Sequence, residues 1–380
     1  MLSILKAALE GIPADIDAAL PVEEYLSFAK AQQIEAMFIA GLHRSGFSYG
    51  KEVRNTALCA AMVAAKQENV TKELCDLFEA KGIDYLPLKG CILRSLYPSP
   101  ELRSMGDVDI LIKTEQYRQI RPLLMAHGYH EGYESNHEYA WDKNDVHIEL
   151  HKRLIPSYNK DYYAYYGDGW QLAKPTESSH RFAMSPEDTF IFIFTHYAKH
   201  YRDVGAGIRQ VLDLYVYRKA YPHMDEQYIQ EVLKQLQLER FYANNMHLLK
   251  VWFGNAMHTE ASRLIADRLF ASGAFGTHED SLQSVMLKQV NRQGSMRKAR
   301  MAKWLRRIFL PLDSMRRLYP ILHKMPGLLP ALWVHRWMRI LLHKRYRFAE
   351  YRQEDHALDE GTVERYHEML RKSGLDFNFK

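Results

Sequence analysis

Cysteine is scarce in this chain: Cys59, Cys75 and Cys91 are the three among 380 residues. None is spaced for a close pair, which excludes a disulfide scaffold and a zinc ribbon and suits a reducing compartment. No run of about 18 uninterrupted apolar residues occurs, so no transmembrane helix is expected. The opening residues, Met1-Leu2-Ser3-Ile4-Leu5-Lys6, lack the basic start, apolar core and small-residue cleavage site of a secretory leader. A cytoplasmic protein is expected. Also missing are Gly-x4-Gly-Lys-Ser/Thr, Gly-x-Gly-x2-Gly and Gly-x-Ser-x-Gly, which removes the P-loop ATPase, dinucleotide-binding and serine-hydrolase readings. The bulk composition, 47% hydrophobic and 26% charged, is that of an ordinary globular protein with room for two or three domains.

What is present concentrates between Tyr85 and Arg153. Gly106-Asp107-Val108-Asp109-Ile110-Leu111-Ile112 alternates as a strand, with Val108, Ile110 and Ile112 on one face and Asp107, Asp109 and Leu111 on the other. Val146-His147-Ile148-Glu149-Leu150-His151 alternates likewise and projects Glu149 between two histidines. Acids at i and i+2 of a strand lie roughly 6–7 Å apart and repel unless a cation separates them. A third carboxylate from a neighbouring strand completes an oxygen-rich set suited to Mg²⁺ and bound phosphates. Ahead of the pair, Ile83-Asp84-Tyr85-Leu86-Pro87-Leu88 reads as a buried strand ending at Lys89-Gly90. A helix from Cys91 to Tyr97 follows, stopped by Pro98. Glycine at such a corner lets a phosphate approach backbone N–H groups at the helix start. Each piece also has a plain alternative: a solvated strand face, an ordinary turn, an exposed edge.

The order of these pieces resembles the nucleotidyltransferase superfamily that includes DNA polymerase beta, and within it the uncharacterised bacterial nucleotidyltransferase family. Leu88-Lys89-Gly90, Arg103, Asp107-Val108-Asp109 and His147-Ile148-Glu149-Leu150-His151 fall where the family pattern places them. Ser185-Pro186-Glu187-Asp188, His196, Leu212-Asp213-Leu214 and Arg336-Trp337 fit more loosely. Three departures stand out. Gly90-Cys91 replaces the usual Gly-Gly or Gly-Ser, the gap from glycine to acid pair is longer, and Glu149 stands where many relatives have Asp. The resemblance implies an α+β fold: a small mixed β-sheet nucleotidyltransferase core with helices packed on it, embedded in a mostly helical chain. It implies transfer of a nucleoside monophosphate from an NTP to an acceptor hydroxyl with release of pyrophosphate. Asp107, Asp109 and Glu149 would be catalytic and hold two Mg²⁺ ions, with Mn²⁺ as the alternative ion. Lys89, Gly90, Cys91 and Arg103 would bind the nucleotide phosphates, and His147 and His151 would flank the acceptor. The acceptor class (small molecule, protein or RNA) is left open.

Four regions are expected: N-terminal helices (1–51), the nucleotidyltransferase core (52–158), a helical domain (159–287) and a basic, aromatic-rich helical region (288–380). Lys81-Gly82 closes the helix before the first strand. Thr114 caps a helix from Glu115 to His127, and Asn136–Trp141 pairs with Val146–Arg153 as a hairpin. Ser185 caps a helix that opens on Pro186.

Charge is uneven. Between Lys288 and Arg347 stand 16 Lys or Arg and one acid, Asp313, a net of +15 that leaves −10 for the rest of a chain totalling +5. Trp304, Phe309, Tyr319, Trp333, Trp337 and Tyr346 are interleaved. Three explanations are open: contact with nucleic acid, contact with the inner face of an anionic membrane through the stripe Met301, Trp304, Leu305, Ile308 and Phe309, or internal docking on the acidic remainder with the stripe as core. Two other function classes remain. One is a non-catalytic NTP- or partner-binding module at the membrane surface, in envelope glycan or peptide modification. The other is a zinc hydrolase using His147, Glu149 and His151.

Overall fold

A computed structural model describes residues 1–343 and 358–375. Lys344, Arg345, Tyr346 and Arg347 of the basic block lie outside them. The chain divides into two compact units. Among the described residues, one comprises Met1–Tyr201, Gly205–Gly276 and Ser373–Leu375; the other comprises Arg202–Val204, 277–343 and 358–372. Within the first unit the N-terminal helices and the sheet share a long helix.

That helix is α4 (Lys51–Lys81), following α1 (Leu2–Glu10), α2 (Val22–Ala31) and α3 (Glu35–Arg44). It ends at Gly82, whose φ of 69° is left-handed and is adopted at no steric cost by glycine. Five strands follow: β1 (Tyr85–Pro87), β2 (Val108–Ile112), β3 (His130–Glu134), β4 (Glu138–Lys143) and β5 (Val146–His151). They form one sheet in the order β1-β2-β5-β4-β3. β2 and β5 are parallel and the other neighbours antiparallel. The fold is α+β, a small mixed sheet in a mostly helical chain.

The strand alternation decides which face is buried. Val108, Ile110 and Ile112 join Val146, Ile148 and Leu150 against Val70, Leu74 and Phe78 of α4, and against Ile120 and Leu124 of α6 (Tyr117–Ala126). The acids therefore occupy the opposite face. The β4–β5 hairpin turns through Asn144 and Asp145, both left-handed at φ 52° and 57°, residue types that tolerate that region. The expected helix after Thr114 is a 3₁₀ turn leading into α6, and Thr114 makes no capping bond. The expected helix after Lys89 is one α turn, α5 (Gly90–Leu93), and a 3₁₀ turn, Arg94–Leu96. β3 was not expected; all five of its residues are exposed, so it carries no alternation to read.

Beyond the sheet come α7 (Lys160–Tyr166) and a short hairpin of β6 (Lys174–Pro175) and β7 (Phe182–Ala183). Next are α8 (Pro186–Asp203) and α9 (Arg209–Ala220). Ser185 Oγ accepts from the Asp188 N–H at 3.0 Å and donates to its carboxylate at 2.8 Å, so α8 starts at Pro186 as expected. The second unit contains α13 (His278–Gln293), α14 (Met296–Ile308), α15 (Leu312–Leu318), α16 (Leu329–His343) and a last helix, Glu360–Ser373; α10 (Glu226–Gln235), α11 (Glu239–Phe253) and α12 (Glu260–Ser272) complete the first.

Candidate active site

Parallel pairing of β2 and β5 sets Asp109 directly beside Glu149, and Asp107 immediately precedes β2. The three acids predicted from two separate segments therefore converge on one face of the sheet. Asp109 is almost fully buried, and one oxygen takes two cations: Lys89 Nζ at 2.8 Å and His151 Nε2 at 2.6 Å. Burial alone would raise the Asp109 pKa, but Lys89 and His151 hold it well below the ordinary range. Asp107 lacks such support. Burial and the neighbouring Asp109 charge push its pKa up to about 6. For Glu149, burial opposes ionisation but the hydrogen bond from His151, at 3.4 Å, keeps its pKa below normal.

Lys89 has a rare backbone for a non-glycine residue, φ 39° and ψ −106°, a strained geometry of the kind that clusters at functional sites. Its amine remains protonated: burial acts against the charge, and Asp109 and Asp107 more than offset it. For His151 burial acts against the charged form, and the hydrogen bonds with Asp109 and Glu149 outweigh it and raise the pKa. Its other ring nitrogen lies 3.0 Å from His137 Nε2. His137 is kept neutral, its pKa lowered to about 2 by burial and by the nearby His151 charge. His151 thus bridges Asp109 and His137 through its two ring nitrogens.

Other expected residues have different work. Arg103 was read as a phosphate clamp, but its guanidinium forms a buried bidentate pair with Asp213 of α9 at 3.2 and 2.9 Å, and its remaining nitrogen donates to the Ser104 carbonyl at 3.3 Å. Tyr97 also donates to Asp213, at 2.7 Å. The Cys91 N–H, read as part of a phosphate cradle, donates to the Leu88 carbonyl at 2.9 Å, and burial raises its thiol to about 12. A single helical turn has little dipole to offer an anion. Gly90 is required for packing: a Cβ there would run into Met105 and the Arg103 guanidinium. His147 meets Asp142 at 2.8 Å through Nδ1 and lies 4.0 Å from Glu149 through Nε2, and it joins neither compact group of ligand-type atoms among the described residues.

Ligand-type atoms do cluster within 4.8 Å in two overlapping groups, Asp109–Glu149–His151 and His137–Glu138–His151. His137 and Glu138 escaped the sequence reading; their only signal is the hairpin register, which sets Glu138 opposite His151. His196 of α8 belongs here too. Burial, then the Lys89 charge, then His200 hold its pKa well below normal, and its Nε2 lies 3.1 Å from that of His200. A cavity of about 1000 Å³ lies between α2 and the first half of α4, reaching Ser104 and Met105; none of the three acids lines it.

Do these residues fit Mg²⁺? Asp107 has no hydrogen-bond or ion-pair partner among the described residues. Burial first, and then the Asp109 charge, raise its pKa against the opposing pull of Lys89. Both cations on Asp109 use the same oxygen, leaving the other to a ligand. Three carboxylates on one face match the hard oxygen donors such an ion takes. The set fits.

The profile of a family described as uncharacterised nucleotidyltransferase matches residues 19–254, more than half of the chain, and the chain belongs to that family. Among solved structures, it is similar to the solution structure of the antibiotic-resistance factor ANT(2'')-Ia. Identity is 12% and the TM-score 0.35, over 48% of this chain and 97% of that one, too distant to bear on substrate. No curated protein matches the chain.

Proposed function

We propose that the protein transfers a nucleoside monophosphate from an NTP to an acceptor hydroxyl, with release of pyrophosphate. The observation that carries this is the register placing Asp109 beside Glu149, two residues from Asp107, in a chain of a nucleotidyltransferase family. Asp107, Asp109 and Glu149 would hold Mg²⁺. When bound, the ion neutralises charge building on the triphosphate and lowers the pKa of the attacking hydroxyl.

The chain's own residues prepare that role. Lys89 and His151 fix the Asp109 carboxylate and keep it ionised. The depressed pKa of Glu149 makes it a better cation ligand than general base, because a base works best with a pKa near the working pH. Lys89 is the cation best placed for phosphate oxygens, replacing Arg103, which instead locks the β2 approach onto α9. Gly90 keeps its backbone N–H at the corner. His151 and His196 line the acceptor side, and His147 stands at the rim.

The test is incubation with each labelled NTP, Mg²⁺ and a cell lysate. Label is expected on protein, RNA or a small molecule, with pyrophosphate released. Asp107→Asn combined with Asp109→Asn should abolish both signals while circular dichroism stays unchanged. Pyrophosphate release by the double variant at the parent rate would end the proposal.

A further inference from the structure

The basic block has no part in the chemistry above, and its exposure pattern is distinct. Ten large apolar side chains between residues 301 and 342 are exposed by 47% to 64%, among them three trios: Met301, Leu305 and Phe309; Leu318, Ile321 and Met325; Val334, Met338 and Leu342. The first and last trios step i, i+4, i+8, along α14 as far as its C-cap Phe309 and along α16. Apart from Ala299, the α14 side chains are not buried as core within their own helix layer.

We propose that α14 and α16 dock on the surface of an anionic lipid bilayer. Arg297, Lys298 and Arg306 are exposed on α14, and Lys324 and Arg339 follow, so cations border each apolar row as they do in helices lying in the headgroup plane. From Lys288 to His343 the acid is Asp313, paired with Arg316 at 3.1 Å. The two helices are tied together. Trp333, Trp337 and Arg336 of α16 donate to the carbonyls of Leu310, Ile308 and Arg307, each at 2.9 Å. This fastening presents the rows on a fixed scaffold. Among the described residues no helix is long and apolar enough to cross a membrane; α14, with 13 residues, spans about 20 Å at the helical rise, short of the ~30 Å hydrocarbon layer.

Charge complementarity selects lipid over the other occupants. A second copy of the same face would bring like charges together. RNA would match the cations but gain little from rows of Met, Leu and Val, since bases stack on aromatic rings. An anionic leaflet satisfies both components at once. This inference does not depend on the transferase reading.

The full chain should be floated with phosphatidylcholine vesicles and with vesicles containing phosphatidylglycerol. It should bind the second at least about tenfold more tightly, and lose that preference in high salt. Met301→Ser with Leu305→Ser, and separately Val334→Ser with Met338→Ser, should each weaken binding about tenfold while leaving the melting temperature unchanged. Absent vesicle binding, equal binding to both vesicle types, or salt-sensitive binding of single-stranded RNA with none to vesicles would overturn the proposal.

Discussion

The acidic face of the sheet and the pair α14–α16 treat charge in opposite ways. At the site, the buried carboxylates are paired: Asp109 with Lys89 and His151, and Asp213 with Arg103. Along α14–α16, cations and large apolar groups are exposed together and acids are scarce. The first 276 residues expose nine large apolar side chains, about the number that the block from 301 to 342 exposes alone. Buried, paired charge is costly to desolvate and is retained where a defined arrangement is needed. Exposed cations beside exposed aliphatics do nothing for the fold and suit a surface that meets something else.

The largest effect that would sharpen this comparison is at Arg103. Arg103→Ala should destabilise the protein by about 3–5 kcal/mol, because Asp213 is left buried and unpaired, and Arg103→Lys should not restore the bidentate bond. Urea unfolding measures it. A rise in NTP KM with unchanged stability would return Arg103 to phosphate binding.

Next is a matched pair of leucines. Leu74→Ala, in the layer under the sheet, should cost about 2–5 kcal/mol. Leu305→Ala, on the exposed row, should stay within about 0.5 kcal/mol. Equal costs would erase the distinction between the two regions.

The smallest effect concerns Asp203, an acidic anchor within the basic unit. Burial opposes its charge, but Arg202 and Lys288, at 2.6 and 2.8 Å, lower its pKa to about 2. A depressed carboxylate adds stability that is complete above its unfolded pKa, near 4, and fades as pH falls towards 2. The contribution is about 2 kcal/mol. Asp203→Asn should flatten stability against pH in that window, as followed by thermal melts.

Much of the site was legible because strand alternation and hairpin register are local. Spacing set Asp107 and Asp109 on one face of their strand, with Val108, Ile110 and Ile112 on the other, whereas the pairing that brings Glu149 beside Asp109 is non-local and was offered by the family resemblance. What could not be read depended on distant partners. Asp213 lies 110 residues from Arg103, so the sequence showed a free guanidinium where the fold has a locked pair. His137 reaches His151 only across the hairpin. Gly90 looked like a phosphate corner because nothing local revealed Met105 packed against it. α5 was too short for helical periodicity to measure. The stripe on α14 was visible as a pattern, but whether it faces core or solvent is a tertiary fact.

The central claim is that Asp107, Asp109 and Glu149 act together as a divalent-cation site. Mn²⁺ titration followed by paramagnetic resonance, with a nonhydrolysable NTP present, tests it most directly. The parent protein should bind Mn²⁺, and Asp107→Asn, Asp109→Asn and Glu149→Gln should each weaken that binding at least about tenfold without loss of fold. Undiminished Mn²⁺ binding in all three variants would contradict the account.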